Sequence, residues 1–185
     1  MNNKYLSLGL ILLVTFVASG IGGFVTSSFK EPWYSEIILP SFNPPSWVFG
    51  PVWTILYIFM SVAAWSAWNK TSDKKILQIY FIHLFFNSIW SVIFFGFHQI
   101  FIALIDLGVI LIFIIWLMKI YYQVSKISFL LMIPYLLWSS YALVLNTTIF
   151  YCLLYTSPSP RDQRGSGMPA WGGKKKKGGG GGGGG

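Results

Sequence analysis

Long apolar runs separated by short polar turns are the main pattern along this chain. Five such runs occupy residues 5–29, 47–68, 76–97, 100–122 and 127–154. A helix of about 20 apolar residues crosses the hydrocarbon core of a bilayer, so each run is long enough to do so. The pattern predicts an all-α membrane protein, a five-transmembrane-helix bundle that occupies residues 1–156.

The connection between the first and second runs, residues 30–46, differs from the other turns. It contains four prolines, at Pro32, Pro40, Pro44 and Pro45. Because proline lacks a backbone N–H and fixes φ, this segment cannot be a continuous helix. Aromatic residues crowd its junction with the second run, where Ser46 is the predicted N-cap. We expect an ordered, proline-rich and aromatic-rich loop that covers the mouth of the second helix.

The first run carries pairs of small residues at helical spacing. Ala18 with Gly22 and Ser19 with Gly23 form small-xxx-small pairs, which let helices approach closely in lipid. The partner is either a helix of the same chain or a second copy, so a homodimer through this glycine-rich helix is one expectation. A cleaved signal peptide ending near residues 18–20 is the alternative, but the hydrophobic run continues to residue 29 and favours a retained helix.

Composition and charge exclude several classes of protein. Hydrophobic residues make up 55% of the chain and charged residues only 10%, as in an integral membrane protein. The net charge of +8 owes six of its thirteen basic residues to residues 157–185. We predict that this Gly-rich tail is disordered and not native to the protein, a lipid-binding polybasic patch being the alternative. The remainder gives no support for nucleic-acid binding, and one cysteine, Cys152, cannot form an internal disulfide or a metal site built on several cysteines.

Lysine positions predict how the bundle is oriented. If the five runs span the membrane, six lysines lie on one side: Lys4, Lys70, Lys74, Lys75, Lys119 and Lys126. Only Lys30 lies on the other side. The positive-inside rule then predicts a cytoplasmic amino terminus and a loop 30–46 that faces out.

Strongly polar side chains are rare inside the runs and fall on stripes at helical spacing. An ionisable or amide side chain in hydrocarbon costs about 2 to 3 kcal/mol, so it normally faces the bundle interior or a cavity. The stripes are His83, Asn87, Trp90, Ser91 and Phe94 on the third run, Pro134, Trp138, Ala142 and Asn146 on the fifth, and Trp53, Tyr57, Met60 and Ala64 on the second.

Each stripe has a packing interpretation and a ligand-binding one. For Asn146 and Asp106 we favour hydrogen-bonded packing links between helices, and for His83 a satisfied buried imidazole. For the tryptophans we favour a ligand site, because the small Ala142 lies one turn from Trp138 and leaves room for a flat molecule.

Three ordered motifs resemble the TspO and translocator protein family. They are PSFNPPSWVFGPVWTILYIFMSVAAWSAW at 40–68, FNSIWSVIFFGFHQIFIALID at 86–106 and PYLLWSSYALVLNTTI at 134–149. The resemblance implies a bacterial plasma-membrane receptor whose pocket, beneath the loop, binds porphyrins and benzodiazepine-type or isoquinoline-carboxamide compounds. It implies a ligand site at Tyr34, Pro44, Trp53, Tyr57, Asn87, Trp90, Trp138 and Ala142, with no cofactor apart from porphyrin as ligand or substrate.

Two other functions are compatible with this resemblance. Light-dependent porphyrin breakdown would need the porphyrin as its own photosensitiser, because no catalytic motif and no metal-spaced His/Cys set is present. Transport of porphyrins or other lipophilic molecules is the alternative to a receptor, although five helices cannot divide into two equal inverted halves.

Overall fold

Helices account for all five apolar runs. The computed structural model describes residues 3–156, with the side chains of residues 4–155, so the prediction for the tail lies outside the described residues. In chain order the helices are α1 (Asn3–Phe29), α2 (Trp33–Glu36), α3 (Ser46–Thr71), α4 (Lys74–Ser91), α5 (Ile100–Val124) and α6 (Lys126–Thr156). A π-helical turn, Val92–Gly96, continues α4. Five of these elements are long and apolar enough to cross a membrane, which confirms the predicted fold class.

The ends of α3 correct two sequence predictions. Pro45 is the N-cap and Ser46 is the first helical residue, so Ser46 does not cap the helix with its side chain. Its hydroxyl accepts a hydrogen bond from Lys30 Nζ at 2.8 Å instead. At the other end, α3 continues past the apolar run to Thr71. Lys70, in the last turn, can extend its charge to water while its backbone stays helical. The turn to α4 is therefore only Ser72 and Asp73.

The π-helical turn was not predicted. Phe97 N–H donates to Val92 O at 2.9 Å, five residues back, which widens the last turn of the helix. The extra residue changes the register, and two successive side chains, Phe94 and Phe95, are both buried. Their rings lie 6.4 and 5.7 Å from the ring of Tyr34, so the widened turn packs against the loop.

The small face of α1 packs on α4 of the same chain. A Cβ added at Gly22 would lie 3.2 Å from Ser91 Oγ, and Ser88 Oγ donates to Ala18 O at 3.3 Å. Gly20, by contrast, is exposed and has open space around it. One predicted role of the small residues, close approach within the chain, is therefore present, while the homodimer remains a prediction.

The half of the bundle away from the loop is filled. Met60, Ala64 and Tyr80 are all fully buried and belong to one hydrophobic core cluster. Tyr80 OH bonds Thr15 Oγ1 at 2.7 Å and Ser61 Oγ at 3.2 Å, which ties α1 and α3 to α4. Any space for a ligand must consequently lie nearer the loop.

Candidate ligand-binding cavity

A cavity of about 450 Å³ lies between α1, α3, α4 and α6 in the half of the bundle nearest the loop. Its wall includes residues of all four helices together with Lys30, Glu31 and Tyr34 of the loop. The volume falls within the range of about 300 to 1,000 Å³ that is usual for small-molecule sites. The wall from the helices is Ser19, Gly22, Gly23, Thr26, Ser27, Ser46, Phe49, Gly50, Trp53, Thr54, Tyr57, Asn87, Trp90, Ser91, Phe94, Phe95, Trp138, Ala142, Leu145, Asn146 and Ile149.

Three tryptophans line this cavity from three different helices. Trp53 projects from α3, Trp90 from α4 and Trp138 from α6, and all three are only partly buried. Each indole packs against a neighbouring aromatic ring, so contacts within the protein set its orientation. The arrangement offers several fixed aromatic surfaces to one volume.

Aromatic contacts hold each indole in place. Trp90 stacks on Phe94 with ring centroids 5.0 Å apart and planes 16° apart. Trp53 stacks on Tyr57 at 5.4 Å, and Trp138 meets Phe49 edge to face at 5.9 Å. Offset and edge-to-face pairs of this kind are each worth about 0.5 to 1.5 kcal/mol beyond the area they bury.

A chain of hydrogen bonds runs below the indoles. Tyr57 OH donates to Asn87 Oδ1 at 2.7 Å, and Asn87 Nδ2 donates to Tyr135 OH at 2.9 Å. The chain ends at His83, whose Nε2 lies 2.7 Å from Tyr135 OH. His83 is fully buried and hydrogen-bonded at Nε2, but its Nδ1 has no hydrogen-bond partner among the described residues, so the imidazole that the sequence analysis expected to be satisfied is bonded on one side only. Asn87 keeps one N–H and part of its acceptor capacity uncommitted, since a side-chain amide offers two N–H donors and two acceptor lone pairs.

Two other polar groups of the wall have no hydrogen-bond partner among the described residues. They are the indole N–H of Trp90, at Nε1, and the side-chain amide of Asn146, whose Nδ2 and Oδ1 atoms are both buried. The expectation that Asn146 links helices by hydrogen bonds is therefore wrong, and the same applies to Oδ2 of Asp106. Asn146 and Asp106 are both buried inside the bundle, but no neighbouring group among the described residues hydrogen-bonds these atoms.

The loop closes the cavity from one end of the bundle. Tyr34 is 7% exposed, and its hydroxyl donates to Asn43 Oδ1 at 3.1 Å. Burial raises the pKa of the Tyr34 phenol above its ordinary value of 10, an effect that the hydrogen bond to Asn43 partly offsets. Tyr141 of α6 donates to Phe42 O at 2.6 Å, which fastens the loop to the bundle. The loop is thus an ordered lid, held by both hydrogen bonds and ring contacts.

Seven of the eight residues predicted for the site lie on the cavity wall. Pro44 is the exception: it belongs to the loop and is partly buried, but it is not among the lining residues. The contributions of α1, and of Phe49, Gly50 and Thr54 on α3, were not predicted from the sequence. For α1, the small residues indicated close packing, which is what Gly22 does, and nothing in the pattern distinguished Gly23 as a cavity residue.

No group of three or more His, Cys, Asp or Glu side chains that could hold a metal ion occurs within residues 3–156. The two charged residues of the wall, Lys30 and Glu31, form an ion pair of 3.7 Å at its edge. What the cavity offers is aromatic surface, hydroxyl and amide groups, and one ion pair.

The TspO/MBR family model matches residues 10–152. The tryptophan-rich protein TspO of Chlorobaculum tepidum is 36% identical over 153 residues, which are 80% of this chain and 97% of the relative. This chain belongs to the TspO/MBR family. Within that family, the translocator protein of Homo sapiens is 35% identical over 146 residues, 74% of this chain and 84% of the relative. The tryptophan-rich sensory protein of Cereibacter sphaeroides is 34% identical over 137 residues, 73% and 87% of the two chains.

Membership of the TspO/MBR family confirms the resemblance drawn from the three motifs. The matched region contains every helix residue of the cavity wall, from Ser19 to Ile149. Together with the five apolar helices, it makes this chain an integral, multi-pass membrane protein. The cavity therefore belongs to the part of the chain that is shared with the family.

Proposed function

We propose that this protein is a membrane receptor that binds porphyrins and other planar, largely apolar molecules in the cavity beneath the loop. The observation that carries the proposal is the convergence of Trp53, Trp90 and Trp138 on one volume of about 450 Å³. Mostly apolar cavities with a few polar groups are typical of small-molecule sites, and flat faces of indole suit a flat ligand.

Each part of the wall has a role in the proposed complex. The three indoles contact the faces or edges of the ligand ring, and the uncommitted N–H of Asn87 offers one hydrogen bond. Ala142 leaves room beside Trp138, while Tyr34 covers the ligand from the loop side. The relatives' names, tryptophan-rich sensory protein and translocator protein, are consistent with a protein that binds a small molecule.

The proposed setting is a bacterial plasma membrane with a cytoplasmic amino terminus. In that orientation, Lys70, Lys74 and Lys75 at the turn between α3 and α4 face the cytoplasm, as the positive-inside rule requires. The loop that covers the cavity then faces out. Attaching a membrane-impermeant label to a cysteine placed at Lys74 or at Glu36, each in a Cys152→Ser background, distinguishes the two orientations.

Transport of the same molecules is the second candidate, suggested by the printed name translocator protein. Against it stands the filled half of the bundle, where Met60, Tyr80 and Tyr121 are fully buried. A route through the bundle would require these side chains to move apart. Flux of porphyrin into protein-containing liposomes, above that of empty liposomes, would favour transport over binding alone.

The proposed function is tested by a tryptophan-fluorescence titration with protoporphyrin. Trp138→Ala should weaken binding by about tenfold or more, because one lost aromatic contact with its buried area is worth about 1.4 kcal/mol. The matched control is Trp116→Ala, whose indole is 50% exposed on α5 and does not line the cavity.

Equal affinity of the wild-type protein and the Trp138→Ala variant, with both folded, would refute the proposed site. The same samples test for breakdown of bound porphyrin, which is followed by its absorbance under illumination and in the dark. Loss of porphyrin in the light only, and faster than in the Trp138→Ala variant, would support a light-dependent reaction in the cavity.

A further inference from the structure

The cavity wall between α1 and α3 reaches the exposed outer surface of these two apolar helices. Gly23 and Ser27 of α1 and Gly50 and Thr54 of α3 line the cavity, and all four are also exposed. On each helix these residues lie between the inner face and the outer face. No large side chain occupies these four positions.

Contacts between α1 and α3 define the two ends of this opening. Toward the middle of the bundle, the rings of Phe16 and Tyr57 lie 6.4 Å apart. At the loop end, Lys30 Nζ donates to Ser46 Oγ at 2.8 Å. The stretch between these contacts, bounded by Gly23, Ser27, Gly50 and Thr54, is here named the slot.

Space at the slot is open on both helices. A Cβ added at Gly23 or at Gly50 would meet no atom within 4 Å outside its own helix backbone and chain neighbours. Gly22, one position away, behaves differently, because a Cβ there would approach Ser91 Oγ at 3.2 Å. The two helices are thus not packed against each other at Gly23 and Gly50.

The hydroxyl groups at the slot are already hydrogen-bonded within their own helices. Ser27 Oγ donates to Phe24 O at 2.9 Å, and Thr54 Oγ1 donates to Gly50 O at 2.9 Å. An opening into hydrocarbon is tolerated only if its polar groups are satisfied in this way. The hydroxyl groups of Ser27 and Thr54 therefore need no further acceptor. An apolar molecule can pass between the two helices without breaking either hydrogen bond.

At the loop end, Tyr34 and the segment around Phe42 cover the cavity. Tyr34 is buried there, and the bond from Tyr141 OH to Phe42 O holds the loop down. Trp33 stacks on His98 at 4.3 Å, which fastens the start of the loop to the end of the π-helical turn. A ligand arriving from water past Tyr34 would have to displace these contacts, whereas a ligand that enters from the bilayer between Gly23, Ser27, Gly50 and Thr54 meets small residues.

We infer that the cavity exchanges its ligand with the hydrocarbon phase through the slot between α1 and α3. The ligand class is a flat molecule that partitions into the membrane, since the slot is open to lipid and walled by small residues. This inference rests on the proposed function and adds the direction from which the ligand arrives.

The test narrows the slot and measures rates of binding in liposomes that already contain protoporphyrin. Gly23→Leu, Gly50→Leu and the double variant place a side chain in the opening, and the double variant should slow both association and dissociation about tenfold or more while affinity changes far less. Gly9→Leu and Gly20→Leu are matched controls, because both glycines are exposed, have open space and lie off the cavity wall. The controls should bind at the wild-type rate.

A reversible closure provides a second, independent measurement. Ser27→Cys and Thr54→Cys are combined in a Cys152→Ser background and joined by a short cleavable maleimide cross-linker. Exchange should slow on cross-linking and recover on cleavage in the same sample, which separates closure from misfolding.

The outcomes separate the two proposals. Normal porphyrin affinity with unchanged rates in the narrowed and cross-linked proteins would overturn the slot. Absence of porphyrin binding by the wild-type protein would overturn the proposed function instead, together with the inference that rests on it.

Discussion

Two asparagines on the wall of one cavity should respond oppositely to the same substitution. Asn87 of α4 makes hydrogen bonds to Tyr57 and Tyr135, whereas neither polar atom of the Asn146 side chain, on α6, has a hydrogen-bond partner within residues 3–156. Leucine has the same branching at Cγ and the same number of side-chain heavy atoms as asparagine, and it carries no polar atom. Asn87→Leu and Asn146→Leu therefore compare a bonded amide with an unbonded one.

The expected magnitudes follow from the number of bonds lost. A hydrogen bond between membrane helices contributes about 0.6 kcal/mol on average and up to about 1.7 kcal/mol, so losing two at Asn87 should lower the free energy of unfolding by about 1 to 3 kcal/mol. Removing an unsatisfied buried amide removes a desolvation cost, so Asn146→Leu should leave the free energy of unfolding unchanged or raise it by about 1 kcal/mol.

Reversible unfolding in mixed detergent micelles, followed by far-ultraviolet circular dichroism, measures both changes. Tyr57→Phe serves as a check on the first, because it removes only one of the two bonds of Asn87 and should cost less than Asn87→Leu. The reasoning would be refuted if Asn146→Leu destabilised the protein as much as Asn87→Leu does.

Two further predictions concern the lid and the packing of α1. Tyr141→Phe removes the 2.6 Å bond to Phe42 O and should increase proteolysis of the loop while leaving helix content unchanged; equal cleavage of variant and wild type would contradict its role in holding the loop. Gly22→Leu drives a side chain into Ser91 and should lower the thermal unfolding temperature, whereas Gly20→Leu, with open space around it, should not. Similar temperatures for the two would show that α1 and α4 are not closely packed.

The helices were predictable because each apolar run is much longer than a strand or a buried soluble helix needs. The structure at the ends of the helices was not predictable in the same way. The hydroxyl of Ser46 bonds Lys30 across the loop, a tertiary contact that competes with capping. The π-helical turn at Val92–Gly96 was also missed, since α- and π-helices bury the same kinds of side chain and differ only in register.

The candidate cavity was predictable as far as helical spacing could reveal it. Trp53, Trp90 and Trp138 fall on polar and aromatic stripes, and the structure places all three around one volume. The contribution of Gly23 depends on how α1 is rotated against α3, which no spacing within α1 encodes. Whether Asn146 is hydrogen-bonded likewise depends on the polar groups of its neighbours in the fold. Helical spacing alone had predicted a hydrogen bond between helices at this position.

The central claim is that a flat apolar molecule binds among three indoles inside the bundle. The most direct measurement is an experimental structure of the full chain in lipid with protoporphyrin bound. The account predicts the ring of the ligand in contact with Trp53, Trp90 and Trp138, beneath Tyr34. Density for the ligand on the outer, lipid-facing surface of the helices, with the cavity unchanged, would contradict it.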